Sequence, residues 1–522
     1  MLQAVTSTGS SGRAASALLP LALAGLAIYA VLLVRTAWLS DDAYITFRTV
    51  ANFVDGEGLR WNPAERVQAY THPLWLFVVS IPFAFTREPY FTSIALSIGF
   101  SLFAAGTLAV RLAPSALAAL TGLGILGFSR AFVDFSTSGL ENALSHALLA
   151  VVLAGCWRST TYGGRLAATL AAGLLVVNRM DLALLVLPIV LWPGAAPGVR
   201  RRVRLALAAG PLAAWTLFSL FYYGVPFPNT AYAKLATGIP RAEALAQGGA
   251  YFRESLASDP LTLVAIAVGL ALAAVTPAAR AAAFGIAAYL GYVLWIGGDF
   301  MSGRFFTAPL FVAAGVIVRY APLGSPVFGL PAIAAVAALG LTAPRPTIHS
   351  DGRYHHPHIP DHGIADERGV YYRTTGLLRI GRAWTPPDVG LDAKYTFAIE
   401  RGRRAITSDF IGLQGYLAGR SIHIIDLLAL ADPLLARLPA ERPWRVGHYP
   451  RALPDGYFQS VNTGGNEIRD ADLARYYDAI RVLTRDPLLS TTRLMAILRM
   501  NTGGLDAARD AYVARMGTST AR

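Results

Sequence analysis

"ALLPLALAGLAIYAVLLVRTAWLSDD", residues 17–42, decides how the chain is read. Eighteen uncharged, mostly apolar residues run without interruption until Arg35, and the first acidic residues of the chain, Asp41 and Asp42, follow directly. About 20 apolar residues are needed to cross about 30 Å of hydrocarbon. Such a run near an N-terminus also fits a signal peptide. No small-x-small cleavage pattern precedes Asp41, and many further apolar runs follow, so the run reads as a retained first span.

The composition agrees with a polytopic α-helical membrane protein. Of 522 residues, 54% are hydrophobic and 15% are charged, against about 25% charged in an average soluble domain. The net charge is +13, and Lys234 and Lys394 are the only lysines, so arginine carries the excess. Arginine beside apolar runs marks cytoplasmic loops, which makes a nucleic-acid partner the weaker reading. A single cysteine, Cys156, excludes an intrachain disulfide framework.

Eleven candidate spans fall near 17–35, 90–110, 114–129, 140–157, 165–178, 182–193, 203–222, 260–276, 281–297, 305–319 and 327–343. Arg200, Arg201, Arg202 and Arg204 place the loop before 203 in the cytoplasm. Arg158, Arg165 and Arg280 then fall on the same side. The segments 36–73, 129–139, 223–259 and 297–304 fall outside. "HPLWLFVVSIPFAF", residues 72–85, is too short to cross and is expected in the outer interface. Eleven crossings from a cytoplasmic N-terminus leave the C-terminus outside.

After residue 343 the composition turns polar. The expected organisation is a membrane domain over 1–343, with a first outer loop at 36–73, and a soluble α/β domain over 344–522. Residues 395–399 and 421–425 read as strands, and 470–483 and 491–498 as helices. His349, His355, His356, His358 and His362 match no ligand spacing and sit among prolines, so they read as a solvated linker. No phosphate-binding glycine loop stands in a strand–helix context.

The outer segments carry polar sets that a mere connector does not need. Asp41 and Asp42 open a stretch with Tyr44 at helical spacing, and His72 closes it. "SGLEN" places Glu141 at the start of a span, where a helix N-terminus favours an anion. "NRMD" sets Arg179 and Asp181 between two short hydrophobic halves, where such residues pair and often mark a site. "GVPFPNTAYAKL" offers Asn229, Tyr232 and Lys234. "GGDFMSGRFF" offers Asp299 and Arg304. Carboxylates and cations gathered near one leaflet suit acid–base work on an anionic substrate.

"DDAYITFR", "NFVDGEGLRWNP", "TSGLEN", "NRMDLALL", "YYGVPFPNTAYAK" and "GGDFMSGRFF" together resemble the polyprenyl-phosphate-dependent membrane glycosyltransferases of GT-C type. The resemblance is closest to the bacterial terminal arabinofuranosyltransferases. "GIADERGVYYRTTGLL", "IGLQGYLAGRSIHIIDLLALADPLLARLP" and "WRVGHYPRALPDGY" resemble the extracytoplasmic part of the same group. It covers about 40–500 of the chain.

The resemblance implies a multi-pass protein of the bacterial cytoplasmic membrane with its C-terminal domain on the periplasmic side. It implies a polyprenyl-phosphoryl arabinofuranose donor, a cell-envelope glycan or glycoconjugate acceptor, and a catalytic aspartate in the first outer loop, Asp41 or Asp42. The reaction then expected is an inverting transfer. Lys234 and Arg304, with Asn229 and Tyr232, would meet the donor phosphate. Tyr44, His72, Glu141, Asp299, Arg179 and Asp181 would position substrate. No cofactor is expected, since the lipid-linked sugar is a substrate. Two carboxylates could hold a divalent ion, but cationic side chains suffice for a phosphate leaving group, so no metal is expected. The alternatives are transfer of another sugar, transfer onto a protein such as pilin, and, outside this class, a transporter or an envelope-assembly scaffold.

Overall fold

The computed structural model describes residues 8–192, 198–235, 237–349, 359–380 and 404–519. It is mostly helical, and each of the eleven apolar runs contains a helix. Among the described residues, four helices are long and apolar enough to cross a bilayer: Leu19–Thr36, Pro89–Leu112, Arg201–Tyr222 and Pro277–Ile296. A fifth candidate is the pair Arg241–Ser258 and Pro260–Val275, which bends by 109° at its break. The chain is a multi-pass membrane protein. Other apolar runs form shorter helices, such as Ala116–Phe128 with 13 residues, about 20 Å at 1.5 Å per residue. Residues 72–85, expected in the outer interface, form another of these shorter apolar helices, Pro73–Thr86, with 14 residues.

Helix boundaries follow local capping chemistry. Ser115 Oγ accepts from Ala118 N at 3.2 Å, and Asp470 Oδ1 accepts from Leu473 N at 3.0 Å. Each satisfies a donor that the first helical turn leaves without an intrahelical partner.

The chain packs as two compact units. The first comprises Met1–Ser40, Tyr90–Leu212 and Ala242–Thr385. Its helices pack mostly as neighbours: Asn142–Trp157 on Tyr162–Asn178, Pro260–Val275 on Thr307–Tyr320, and Ala116–Phe128 against both Thr8–Thr36 and Pro326–Thr342. Small residues set these crossings, as in membrane bundles generally. A Cβ added at Gly269 would lie 2.5 Å from the Ala313 Cβ.

The second unit comprises Asp41–Pro89, Ala213–Arg241 and Pro386–Arg522. A cut at 343, drawn from composition, therefore does not coincide with the packing units, because Asp41–Pro89 packs with the C-terminal segment. Ile45, Trp61 and Ala69 share one hydrophobic cluster with Ile411, Ile422, Ile424 and Ala431. Strands β1 (Ala405–Ser408) and β2 (His423–Asp426) pair in parallel, with Ala405 opposite His423 and Ser408 opposite Asp426. The helix Leu413–Leu417 lies in their connection. The helices expected over 470–483 and 491–498 run Ala471–Arg485 and Thr491–Asn501. The strand expected at 395–399 lies outside the described residues, as do His355, His356 and His358.

Candidate active site

Asp41 opens the helix Asp41–Val54. Its Oδ1 accepts from the Leu413 amide at 2.8 Å, and the Gly412 amide also donates to its carboxylate. One carboxylate thus meets the N-terminus of a second helix, Leu413–Leu417. Helix N-termini favour an anion, yet burial outweighs them here. Desolvation, partly offset by the Leu413 amide and reinforced by the neighbouring Asp42, pushes the Asp41 carboxyl up to about 7. A carboxylate offers about four lone-pair sites, so two amides leave acceptor capacity for a substrate proton.

The approach requires glycine at 412. A Cβ there would fall on the Asp41 carboxylate and on its own carbonyl oxygen. The same surroundings are locked from the other side by Arg48. Its guanidinium stacks on Trp61 at 4.4 Å and donates to the carbonyls of Trp61 at 2.8 Å, Ile422 at 3.0 Å and Gly415. Asn62 exchanges two hydrogen bonds with the Ile424 backbone, at 3.0 and 3.1 Å, and so acts as one more rung beside β2.

The other expected residues of this unit fall into two groups. Tyr44 is a core residue, edge-on to Phe47 with ring centroids 5.3 Å apart and tilted against Tyr416 at 5.6 Å. His72 Nε2 lies 2.6 Å from Thr46 Oγ1 and ties the helix Pro73–Thr86 to the helix Asp41–Val54. Asn229 Nδ2 donates to the carbonyls of Ala429, Leu430 and Asp432 at 3.0–3.2 Å. Those bonds use its amide hydrogens to hold the 429–432 turn, so a phosphate is not what they meet here. Tyr232 lies under the Arg437 guanidinium at 4.7 Å. Lys234 is exposed and has no carboxylate partner among the described residues.

The first unit brings five expected residues together. Arg179 pairs with Asp181 and reaches Glu141 at 3.6 Å. Arg304 meets the same Glu141 oxygen at 3.0 Å and Asp299 at 3.5 Å. Tyr289 donates to Asp181 at 3.0 Å. The result is a chain of alternating sign, Asp181–Arg179–Glu141–Arg304–Asp299. Three carboxylates against two guanidiniums leave no surplus positive charge. Arg304, expected as a free cation for phosphate, has its charge taken up by Glu141 and Asp299.

A second polar cluster of this unit was not anticipated. Arg130 bonds Asp366 and lies 3.4 Å from Asp134, Arg368 meets Asp134 at 2.6 Å, and Arg345 meets Asp366 at 2.6 Å. The signal in the sequence was the spacing of Arg130 and Asp134, four apart on one helical turn.

No protein-family model matches the chain. A terminal β-(1→2)-arabinofuranosyltransferase of Mycobacterium tuberculosis is 27% identical over 517 residues, covering 80% of this chain and 81% of that protein. The protein of the same description from Corynebacterium glutamicum is 29% identical over 327 residues, covering 52% of this chain and 46% of that one. The chain is similar to the terminal arabinofuranosyltransferases. Those relatives are glycosyltransferase enzymes, as the motif resemblance implied. A crystal structure of ArnT from Cupriavidus metallidurans bound to undecaprenyl phosphate covers 80% of this chain and 76% of that one at 15% identity, with a TM-score of 0.42, too loose a likeness to argue from.

Proposed function

We propose that the chain is a membrane glycosyltransferase that moves arabinofuranose from a polyprenyl-phosphate donor to a hydroxyl of a cell-envelope glycan. The observation that supports this reading most is the Asp41 carboxylate: held by two backbone amides, and poised near neutrality by its surroundings. A general base works best when its pKa lies near the operating pH.

In the proposed step the acceptor O–H gives its proton to Asp41 as its oxygen bonds the anomeric carbon. The bond from that carbon to the phosphate oxygen breaks, and polyprenyl phosphate leaves with the electron pair. The sugar passes through an oxocarbenium-like state. Lys234 is the proposed cation for charge growing on the phosphate, since a fixed cation acts most where charge develops. Asp42 helps orient the acceptor. Within the first unit, Arg179 and Arg304 fix the carboxylates of Glu141, Asp181 and Asp299. Tyr44, His72 and Asn229 act through the scaffold around Asp41. No resident cofactor or metal enters the step.

The topology proposed with it has eleven crossings, 1–343 in the membrane and 344–522 on the periplasmic face of the cytoplasmic membrane. A lipid-linked sugar keeps its phosphate at headgroup level, so a base just beyond the first span is at the depth the chemistry needs.

Purified protein incubated with defined polyprenyl-phosphoryl pentoses and hexoses, followed by product analysis, tests the reading. Transfer confined to arabinofuranose, and lost in Asp41→Asn, is expected. A single displacement inverts the anomeric centre, so a β product requires an α-linked donor. A β product from a β-linked donor would overturn the single displacement. Full turnover by Asp41→Asn would overturn the base.

A further inference from the structure

The helix Thr491–Asn501 keeps an apolar face uncovered. Leu494 is 47% exposed, Met495 59% and Leu498 64%, and Leu489 just before the helix is 75% exposed. At about 100° per residue, positions 494, 495 and 498 share one arc. Arg493 and Ala496 lie on the opposite arc and are buried. No acidic residue occurs between Asp486 and Asp506, whereas Arg493 and Arg499 fall within that stretch.

What covers this face follows from where the helix is anchored. The Arg493 guanidinium donates to Leu483 O at 3.0 Å, Leu488 O at 3.1 Å and Tyr222 O at 2.9 Å. Tyr222 is the last residue of the apolar helix Arg201–Tyr222. Asn501 Nδ2 donates to Gly224 O at 2.8 Å. A Cβ at Gly224 would meet the Leu483 side chain within about 2.6 Å, so the glycine allows close contact there. The membrane helix has 22 residues, about 33 Å of rise against about 30 Å of hydrocarbon. Its end therefore lies at the membrane boundary, and Arg493 holds the exposed face beside it. Leu217, Phe221 and Phe227, near the same end, are themselves 67%, 44% and 52% exposed.

We propose that residues 489–499 are an interfacial membrane anchor, with Leu489, Leu494, Met495 and Leu498 entering the boundary of the acyl chains and Arg499 at the anionic headgroups. Interfacial helices bury their apolar face by about 5–10 Å and gain from basic residues at anionic lipid. The partner is the bilayer that already surrounds Arg201–Tyr222. The proposal rests on that helix being a membrane span and on no catalytic assignment.

The test uses full-length protein with Cys156→Ser, reconstituted in phosphatidylcholine–phosphatidylglycerol vesicles. Nitroxide labels go at Leu494→Cys, at Leu498→Cys and, as a reference, at Arg469→Cys, whose native side chain is 82% exposed. Collision with oxygen relative to a water-soluble nickel chelate should be about tenfold higher at 494 and 498 than at 469, because oxygen partitions into acyl chains and the chelate does not. Chelate access equal to that at 469 would overturn the proposal. So would low access to both reagents, the signature of a protein covering this face.

Discussion

The Asp41 assignment makes a quantitative prediction for pH. The carboxyl must be ionised to accept a proton, and its surroundings push it up to about 7. The ionised fraction is then about one tenth at pH 6 and about nine tenths at pH 8. Turnover at saturating donor should therefore rise about tenfold across that interval and level off above it. An aspartate at its ordinary value near 3.9 would give a flat profile over the same range. Asp42 contributes to the upward shift, so Asp42→Asn should move the rising limb to lower pH while leaving its slope unchanged. Asp41→Asn should remove the limb and lower the rate about 10²–10⁴-fold. Initial rates of arabinofuranose transfer between pH 5 and 9, with purified protein and synthetic donor, supply the measurement. A flat wild-type profile from pH 6 to 8, or an unchanged limb in Asp41→Asn, would refute the reasoning.

Gly412→Ala should lower turnover by about 10²-fold, the cost of misplacing a reacting group by about 1 Å, because the new methyl occupies the place of the Asp41 carboxylate. Transfer rates set against expression and melting temperature will separate this effect from misfolding. Glu141→Gln removes the carboxylate that Arg179 and Arg304 share, while Asp181 and Asp299 still face them, and should destabilise by about 1–3 kcal/mol, read as a lowered melting temperature in detergent; an unchanged value would show that Glu141 does not hold the network. Asp41, Asp426 and Asp432 are all raised to about 7, chiefly by burial. A raised folded-state pKa contributes stability below the unfolded value that is lost as pH rises through the folded one. Melting temperature should therefore fall from pH 6 to pH 8, and Asp426→Asn should flatten part of that slope.

Much of the helical layout was legible in apolar run length, which physics ties directly to burial in lipid or core. The breaks were legible too: Gly297 and Gly298, both at positive φ, end the helix Arg280–Ile296 where the apolar run 281–297 ends. Pairing of Arg179 with Asp181 followed from the high cost of an isolated charge among apolar residues. Other features were not legible, because they depend on tertiary partners far along the chain. Nothing near Asn229 in sequence shows that its amide meets carbonyls some 200 positions later. The acidic pair of "DLLALAD" looks like solvent-facing polarity, yet both carboxylates are buried. Asp426 accepts from Leu428 and Ala431 amides, and Asp432 from Leu434 and Leu435 amides and the Tyr457 hydroxyl.

Packing also changes the setting of residues 36–73. Read linearly, 36–73 is a loop that presents two aspartates to the membrane surface. In the fold, its catalytic candidate is completed by residues more than 370 positions away. Leu413 and Gly412 supply the amides that hold the Asp41 carboxylate, and the absence of a Cβ at Gly412 is what admits the carboxylate at all. Arg48 and Asn62 then bind the same loop to Gly415, Ile422 and Ile424. An isolated pair of adjacent aspartates on an exposed helix turn would titrate near the ordinary carboxylate range. Burial beneath the 411–417 segment is what separates Asp41 from that behaviour. The Asp41 carboxyl and its raised pKa are thus properties of residues 41–73 and the C-terminal segment jointly, and neither carries them alone.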